Sequence, residues 1–330
     1  VLALGALPPQ RLTGVGPRLA RDARYIAWPW QDDALNQIEP DARVLIIGTG
    51  LTMADVVASL AQRKHRGQIV ATSRHGLLPQ THTATPAAPI ELPPSVHHAL
   101  RKHDVRQLVA ALRSLSHVVP DWRAAIDALR PHTQAFWRGA SAQERRRFLR
   151  HVRSYWEVAR HRLAPEIGGL LQSLQDSGQL KLRAARLLRA GLRADSAEVL
   201  IRERGQEQIQ VEHYDYVIRA TGLDTDLLRS TQPLASHLRD SGVISADVHG
   251  LGLNVTDDFE VIDQHGHRVA GLSCLGPLLR GHLWEITAVP ELRKAAKVLA
   301  ERLRASESTT STGRGKTRSL GQELALSTGF

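Results

Sequence analysis

Arg43–Ser73 reads RVLIIGTGLTMADVVASLAQRKHRGQIVATS. The apolar run Val44–Ile47 predicts a strand, and Gly48, Thr49 and Gly50 predict a tight turn. The segment to about Lys64 has the pattern of an amphipathic helix, and Gln68–Thr72 forms a second short apolar run. A strand, glycine turn, helix and strand in about thirty residues make a βαβ unit. The two glycines fall where the first strand hands the chain to the helix. Such a turn aims backbone N–H groups and the positive end of the helix dipole at one point, which suits a pyrophosphate. The third small residue of a dinucleotide fingerprint is replaced by Met53. A βαβ unit whose glycines only make the turn is therefore the competing reading.

The second strand ends at Ser73, Arg74 and His75, where a binder of the unphosphorylated dinucleotide offers Asp or Glu. A hydroxyl beside a guanidinium favours a 2′-phosphate, hence NADP(H), with NAD(H) left open. The bland alternative for Arg74 is an ordinary surface arginine.

The 330 residues, 42 % of them hydrophobic, suffice for two domains or one domain with an insertion. No run of eighteen apolar residues occurs, so no membrane partner is expected. Cys274 is the only cysteine, which excludes a disulfide framework, a CxxC redox pair and a cysteine zinc site, and points to a reducing cytoplasm. In its strand it reads as core. Val1–Pro9 carries no basic segment or cleavage pattern and does not read as a signal peptide.

The net charge of +10 is concentrated. Residues 101–165 hold fourteen Arg or Lys against five Asp or Glu, a local +9. Such a patch attracts nucleic acid, an anionic surface or a phosphate-bearing ligand, unless it is merely a solvated arginine face. Arg150, Arg153, Arg160 and Arg162 are candidates for a basic wall receiving an anionic substrate. No histidine spacing supports a metal site, His265 and His267 lying in a turn, and no Gly-x-Ser-x-Gly elbow supports a hydrolase.

Along the rest of the chain, Val1–Gly5 predicts a strand, and Trp28-Pro29-Trp30 an anchor that buries its rings. Residues 76–94 read as a loop whose length implies function. From Ser95 to about Ser177 the period is helical, predicting three to five helices with Asp121 or Ser141 as caps and a Ser141/Glu144 capping box. Leu180–Leu188, Glu198–Glu203, Gln208–Glu212 and Tyr216–Ala220 predict strands, three in a meander and the last returning to the main sheet. A hairpin is expected at Phe259–Asp263 and Arg268–Leu275, a helix from about Leu283 to Leu303, and a disordered tail over 306–330.

Four separated stretches carry a resemblance: LALG (Leu2–Gly5), VLIIGTGLTMAD (Val44–Asp55), VIRATGLDTD (Val217–Asp226) and LSCLGPLLRGHLWE (Leu272–Glu285). Together they resemble the two-dinucleotide-binding-domain flavoproteins, and within them bacterial FAD/NAD(P)-binding oxidoreductases related to flavin-containing and N-hydroxylating monooxygenases. Arg145–Pro165 is similar to the same subgroup. The resemblance covers about residues 1–304.

It implies an α/β fold: a Rossmann-like NAD(P) domain (39–222) with a helical insertion (95–177) and a β-meander, inserted into a FAD-binding α/β domain (1–38 plus 223–305). It also implies two cofactor sites. Gly48, Thr49, Gly50, Leu51, Thr52, Asp55, Ser73 and Arg74 would hold NADP(H). Gly5, Thr221, Gly222, Gly276, Pro277, Gly281 and Trp284 would lie toward FAD. The family's own FAD fingerprint precedes its LALG segment, and here nothing precedes it, so the FAD domain is expected to be incomplete and N-terminally truncated. Gly276-Pro277 stands where many relatives have Gly-Asp.

The implied activity is hydride transfer from NADPH to flavin, with oxygen activation or onward electron transfer as the two branches. A small-molecule substrate or electron acceptor is the expected partner, and a homodimer is left open. The other readings are a non-catalytic dinucleotide-binding or redox-sensing protein and, last, a nucleic-acid-binding protein using the basic helices. The catalytic residues are not named by the sequence.

Overall fold

The computed structural model describes residues 1–305, and the expected tail lies outside them. The chain divides into two compact units. The larger comprises Leu7–Asp224 and Arg229–Gln232. The smaller comprises Val1–Ala6, Thr225–Leu228 and, among the described residues, 233–305.

The larger unit is built on a seven-stranded sheet. Its strands are β1 (Tyr25–Ile26), β2 (Val44–Ile47), β3 (Ile69–Ser73), β4 (Leu180–Arg193), β5 (Ser196–Glu203), β6 (Ile209–Tyr214) and β7 (Tyr216–Arg219), in the order β1-β7-β2-β3-β4-β5-β6. From β1 to the first part of β4 the strands are parallel, and β4-β5-β6 is the antiparallel meander. Parallel strands covered on both faces must be apolar throughout, and Val44, Leu45 and Ile46 are fully buried. On one face α1 (Leu51–Gln62) packs Met53, Val57 and Leu60 against Ile46, Ile69 and Ile218. On the other, Leu19 and Tyr25 join Leu45, Val199, Ile201 and Tyr214.

Seven α-helices, rather than three to five, occupy the predicted helical block: α2 (Pro94–Lys102), α3 (Val105–Val118), α4 (Trp122–Leu129), α5 (Thr133–Gly139), α6 (Ala142–Arg147), α7 (Arg153–Arg160) and α8 (Pro165–Asp176). Prolines and caps cut the periodic stretch into short pieces. Asp121 accepts from the Arg123 N–H at 2.9 Å, and Ser141 from the Glu144 N–H at 3.2 Å. The capping box stays half made, because the Glu144 carboxylate takes the Val105 N–H and the Arg147 guanidinium instead. Leu92, Val96, Leu108, Leu129 and Trp156 form this block's own core. A π turn, Phe148–Val152, joins α6 to α7.

Strand β4 carries the main surprise. Leu180–Ala184 pairs parallel with β3, while Ala185–Arg193 pairs antiparallel with β5, with a register shift between Leu187 and Arg189. The strand runs to Arg193, beyond the predicted end at Leu188. Past the bulge Val15 bridges Ala190 in parallel, fastened by Gly16 N–H to Ala190 O and Ala190 N–H to Gly14 O, each 2.8 Å. Tyr25–Ile26, expected within a FAD-side segment ending at residue 38, is strand β1 of this sheet. Trp28 is half-buried and Trp30 is 49 % exposed, so Pro29 rather than the indole rings fills the interior there.

In the smaller unit, β8 (Glu260–Ile262) and β9 (Arg268–Ser273) form the expected hairpin. Val1–Gly5 is not a strand: Leu2 alone bridges Cys274, through Leu2 N–H to Ser273 O at 2.7 Å. The predicted helix begins later than Leu283. A 3-10 turn over Pro277–Leu279 and further turns carry the chain to a helix spanning 289–305. No helix among the described residues is long and apolar enough to cross a membrane.

Burial of His65 beside the end of α1 holds its imidazole below the ordinary value of 6.5. The unfolded chain then takes up a proton near pH 6.5 that the folded chain resists. Stability is therefore complete above about pH 6.5 and falls as pH drops toward the folded value, by up to about 1.4 kcal/mol per pH unit. Urea unfolding midpoints from about pH 7.5 to 5 will show this fall. His65→Leu is expected to flatten that part of the profile.

Candidate functional site

The carboxyl ends of β2, β3 and β7, the start of α1 and one face of α7 surround a cavity of about 740 Å³ in the larger unit. Crevices at the carboxyl ends of parallel strands are where α/β sheets bind ligands. Gly48 fixes the floor. Its φ is +120°, and a Cβ there would stand 2.1 Å from the Ala220 carbonyl oxygen, so only glycine lets β2 end against β7. Gly50 differs: it precedes α1, and a Cβ on it would meet nothing within 4 Å. No side chain caps α1, and its first turn has no acidic residue. The Leu51 and Thr52 N–H groups, at the positive end of the helix, therefore stand at the edge of the cavity, an arrangement that suits an anionic group.

Thr49 and Ser73 hold the loop that follows β3. The Gly76 N–H donates to Ser73 Oγ at 3.0 Å, Ser73 Oγ lies 2.9 Å from Thr49 Oγ1, and Thr49 Oγ1 donates to Leu77 O at 2.6 Å. Each hydroxyl has one proton, so the Thr49 proton goes to Leu77 and the Ser73 proton to Thr49. Ser73 lines the cavity but has no proton left for a phosphate. Arg74 lines it too, is exposed, and pairs with no carboxylate among the described residues. Leu51 and Thr52 reach the cavity from α1. Asp55 lies on the exposed side of that helix and does not line it.

The basic wall is smaller than the sequence implied. Arg153, Ser154, Glu157, Val158 and His161 follow helical spacing onto the cavity, and Arg153 pairs with Glu157 at 2.9 Å. Arg150, exposed on the π turn, and Arg160 do not line it. Arg162 is structural: its side chain is 4 % exposed, bound to Asp127 at 2.9 and 3.0 Å and to Ala159 O at 2.8 Å, with its guanidinium over the Trp122 ring. A guanidinium so enclosed has no free donors facing a substrate. Sequence reasoning missed Thr13, Leu77, Pro79 and Ala185–Leu188 as cavity residues. The signal for the last group was the length of β4.

Thr221 and Gly222 line the cavity beside Ala220. The other residues expected toward FAD lie in the smaller unit. Gly5 and Gly276 have φ of +67° and +106° with open space at the Cβ position. Gly281 packs against Asp247, where a Cβ would come within 2.5 Å, and Trp284 is buried with the Arg280 guanidinium 4.5 Å from its ring centre. Cys274 is fully buried and burial pushes its thiol up to about 12. His265 and His267 occupy the hairpin turn, their N–H groups held by Asp263.

The chain aligns with the ornithine N-hydroxylase of Kutzneria sp. 744, solved with reduced FAD, NADP+ and L-ornithine. The TM-score is 0.55 and the identity 17 %, over 92 % of this chain and 63 % of that one. The reduced ornithine hydroxylase of Pseudomonas aeruginosa matches at 0.52 and 19 %, over 91 % and 60 %. The L-lysine 6-monooxygenase of Pseudomonas syringae matches at 0.51 and 18 %, over 90 % and 62 %. At these identities the likeness is one of fold, shared with these hydroxylases over the part of their length that the chain spans. This chain spans 60 to 63 % of the length of these proteins. No protein-family model and no curated protein matches it.

The two glycines should respond differently to substitution. Gly48→Ala forces a clash with backbone and is expected to destabilise the protein by about 2 kcal/mol or more, read as a lowered urea midpoint. Gly50→Val meets no protein atom within 4 Å at its Cβ, so its unfolding midpoint should match that of the parent chain.

Proposed function

We propose that this chain carries the nicotinamide-dinucleotide site of a FAD- and NADP(H)-dependent oxidoreductase in which NADPH reduces the flavin, and, as the finer reading, of a monooxygenase. The observation that carries it is the uncapped start of α1 at Gly50, open where a Cβ would fill it, at the edge of a 740 Å³ cavity. The likeness in fold to an ornithine N-hydroxylase solved with reduced FAD and NADP+ supports the same reading.

The residues present fit NADP(H). The N–H groups from Gly50 to Thr52 would receive the pyrophosphate, and Arg74 the 2′-phosphate. Thr49 and Ser73 serve by fixing the loop that carries Arg74. The Arg153–Glu157 pair stands across the cavity on α7. Within the smaller unit, Gly5 and Gly276 leave open backbone that a ligand such as FAD could approach, whereas Gly281 is committed to packing against Asp247 and Trp284 to the Arg280 guanidinium. When bound, NADPH supplies the hydride and FAD accepts it, and the protein's part is to hold both, orient them and exclude water.

The nucleic-acid reading loses support, because Arg123, Arg147, Arg153 and Arg162 of the basic segment are all in ion pairs. A non-catalytic dinucleotide-binding protein is distinguished by experiment. Under anaerobic conditions, NADPH added to FAD-loaded protein is expected to bleach the visible flavin band. Saturable NADPH binding with no flavin uptake would favour the non-catalytic reading.

The role of Arg74 has its own check. Arg74→Glu is expected to raise the Kd for NADPH at least tenfold, about 1.4 kcal/mol, and leave that for NADH within about twofold. Equal losses for both would remove the 2′-phosphate assignment.

A further inference from the structure

Beyond Arg74, a second feature of the rim is built for an anion. Two chain segments that are distant in sequence are pinned to the same point on β4. The loop after β3 lies against Ala184: Gly76 has φ +62°, and a Cβ on it would stand 2.9 Å from the Ala184 nitrogen. From the other side the β5–β6 turn returns to the same residue, Arg204 N–H donating to Ala184 O at 2.8 Å. Next to it Arg183 grips Glu203 at 2.9 Å and Glu212 at 2.6 Å. The Arg204 guanidinium is thereby carried to the cavity rim, where it donates to His75 Nδ1 at 3.2 Å. His75 lines the cavity beside Arg74.

Arg74, His75 and Arg204 thus stand at one rim, and none of the three forms an ion pair with a carboxylate among the described residues. The groups facing His75 are Arg74 on its own loop, Arg204 on the β5–β6 turn and, from α7, the Tyr155 ring at 5.7 Å. The nearby Glu157 is engaged by Arg153. Two guanidinium groups beside an imidazole leave a local excess of positive charge, which an anion would neutralise.

We infer that Arg204 and His75 complete, with Arg74, a three-residue site for a phosphate dianion, the ribose 2′-phosphate of NADP(H). This rests on the proposed dinucleotide site and deepens it. Arg204 comes from the meander, outside the βαβ unit, so phosphate selectivity is shared between two parts of the domain. In the free chain the Arg204 donation to Nδ1 keeps the imidazole neutral with its proton on Nε2; once the ring is protonated Nδ1 no longer accepts, and Arg204 is released to donate to the phosphate instead.

Burial, Arg204 and Arg74, in that order, hold the free imidazole below its ordinary value of 6.5. A dianion between the three groups reverses the charge term, so binding favours the imidazolium. The protein takes up a proton on binding, and NADPH affinity rises as pH falls. The useful window is about pH 8 to 6.5, above the second ionisation of a phosphate monoester near 6.

The test is a fluorescence titration of the full chain with NADPH and, separately, NADH, across that pH window. Arg204→Gln is expected to raise the Kd for NADPH about tenfold and that for NADH less than twofold, while Arg204→Lys keeps most of the preference for NADPH. His75→Gln is expected to remove the pH dependence of NADPH binding and leave NADH binding flat, as it is in the parent chain. A turn that serves only structure would weaken both nucleotides together. Equal losses for NADPH and NADH, or an unchanged preference in Arg204→Gln, overturns the inference. If the parent chain binds NADH and NADPH alike, this site is refuted while the dinucleotide site stands. If it binds neither, the dinucleotide reading itself fails.

Discussion

The arrangement depends on one close approach, between the backbone at Gly48 and the carbonyl oxygen of Ala220. At 2.1 Å from the position a Cβ would take, that oxygen leaves room only for glycine. The approach exists because β2 and β7 are parallel neighbours joined through Ala220 N–H to Ile47 O at 2.8 Å, and both strands end at the same level. From there the chain turns sharply into α1 and leaves its first N–H groups without a side-chain acceptor. A helix start exposed in this way costs stability unless water or a ligand satisfies it. The cavity is where that cost becomes useful.

Around this turn the remaining parts have divided tasks. Hydrophobic packing of α1 onto Ile46, Ile69 and Ile218 fixes the helix direction. The hydroxyl relay through Ser73 and Thr49 fixes the loop that presents Arg74 and His75. Strand β4, parallel at one end and antiparallel at the other, ties the βαβ unit to the meander and brings Arg204 to the same rim. The helical block supplies a wall through one face of α7. Its other arginines, such as Arg162 against Trp122 and Asp127, hold the helices together.

Much of this was legible in the sequence, and the failures have physical causes. Apolar runs and glycine spacing marked β2, α1 and β3, because a strand buried on both faces has to be apolar and a turn of this kind has to contain glycine. Period-two patterns marked the meander. Val1–Gly5 and Tyr25–Ile26 were misjudged because two-residue and one-residue pairings leave too little pattern to read. Arg162 and Ser73 are engaged in ways their residue types do not reveal. Their residue types suit a phosphate site, but type does not reveal whether a guanidinium is already enclosed by Asp127 or a hydroxyl proton already spent on Thr49. Arg204 was missed because its neighbourhood with Arg74 comes from pairing across β4, which is non-local.

The most direct measurement is a crystal structure of the chain soaked with NADP+. Density for a pyrophosphate is expected within hydrogen-bond distance of the backbone N–H groups between Gly50 and Thr52. A nucleotide bound elsewhere on the chain, or this turn left without one at saturating concentration, would contradict the proposed site.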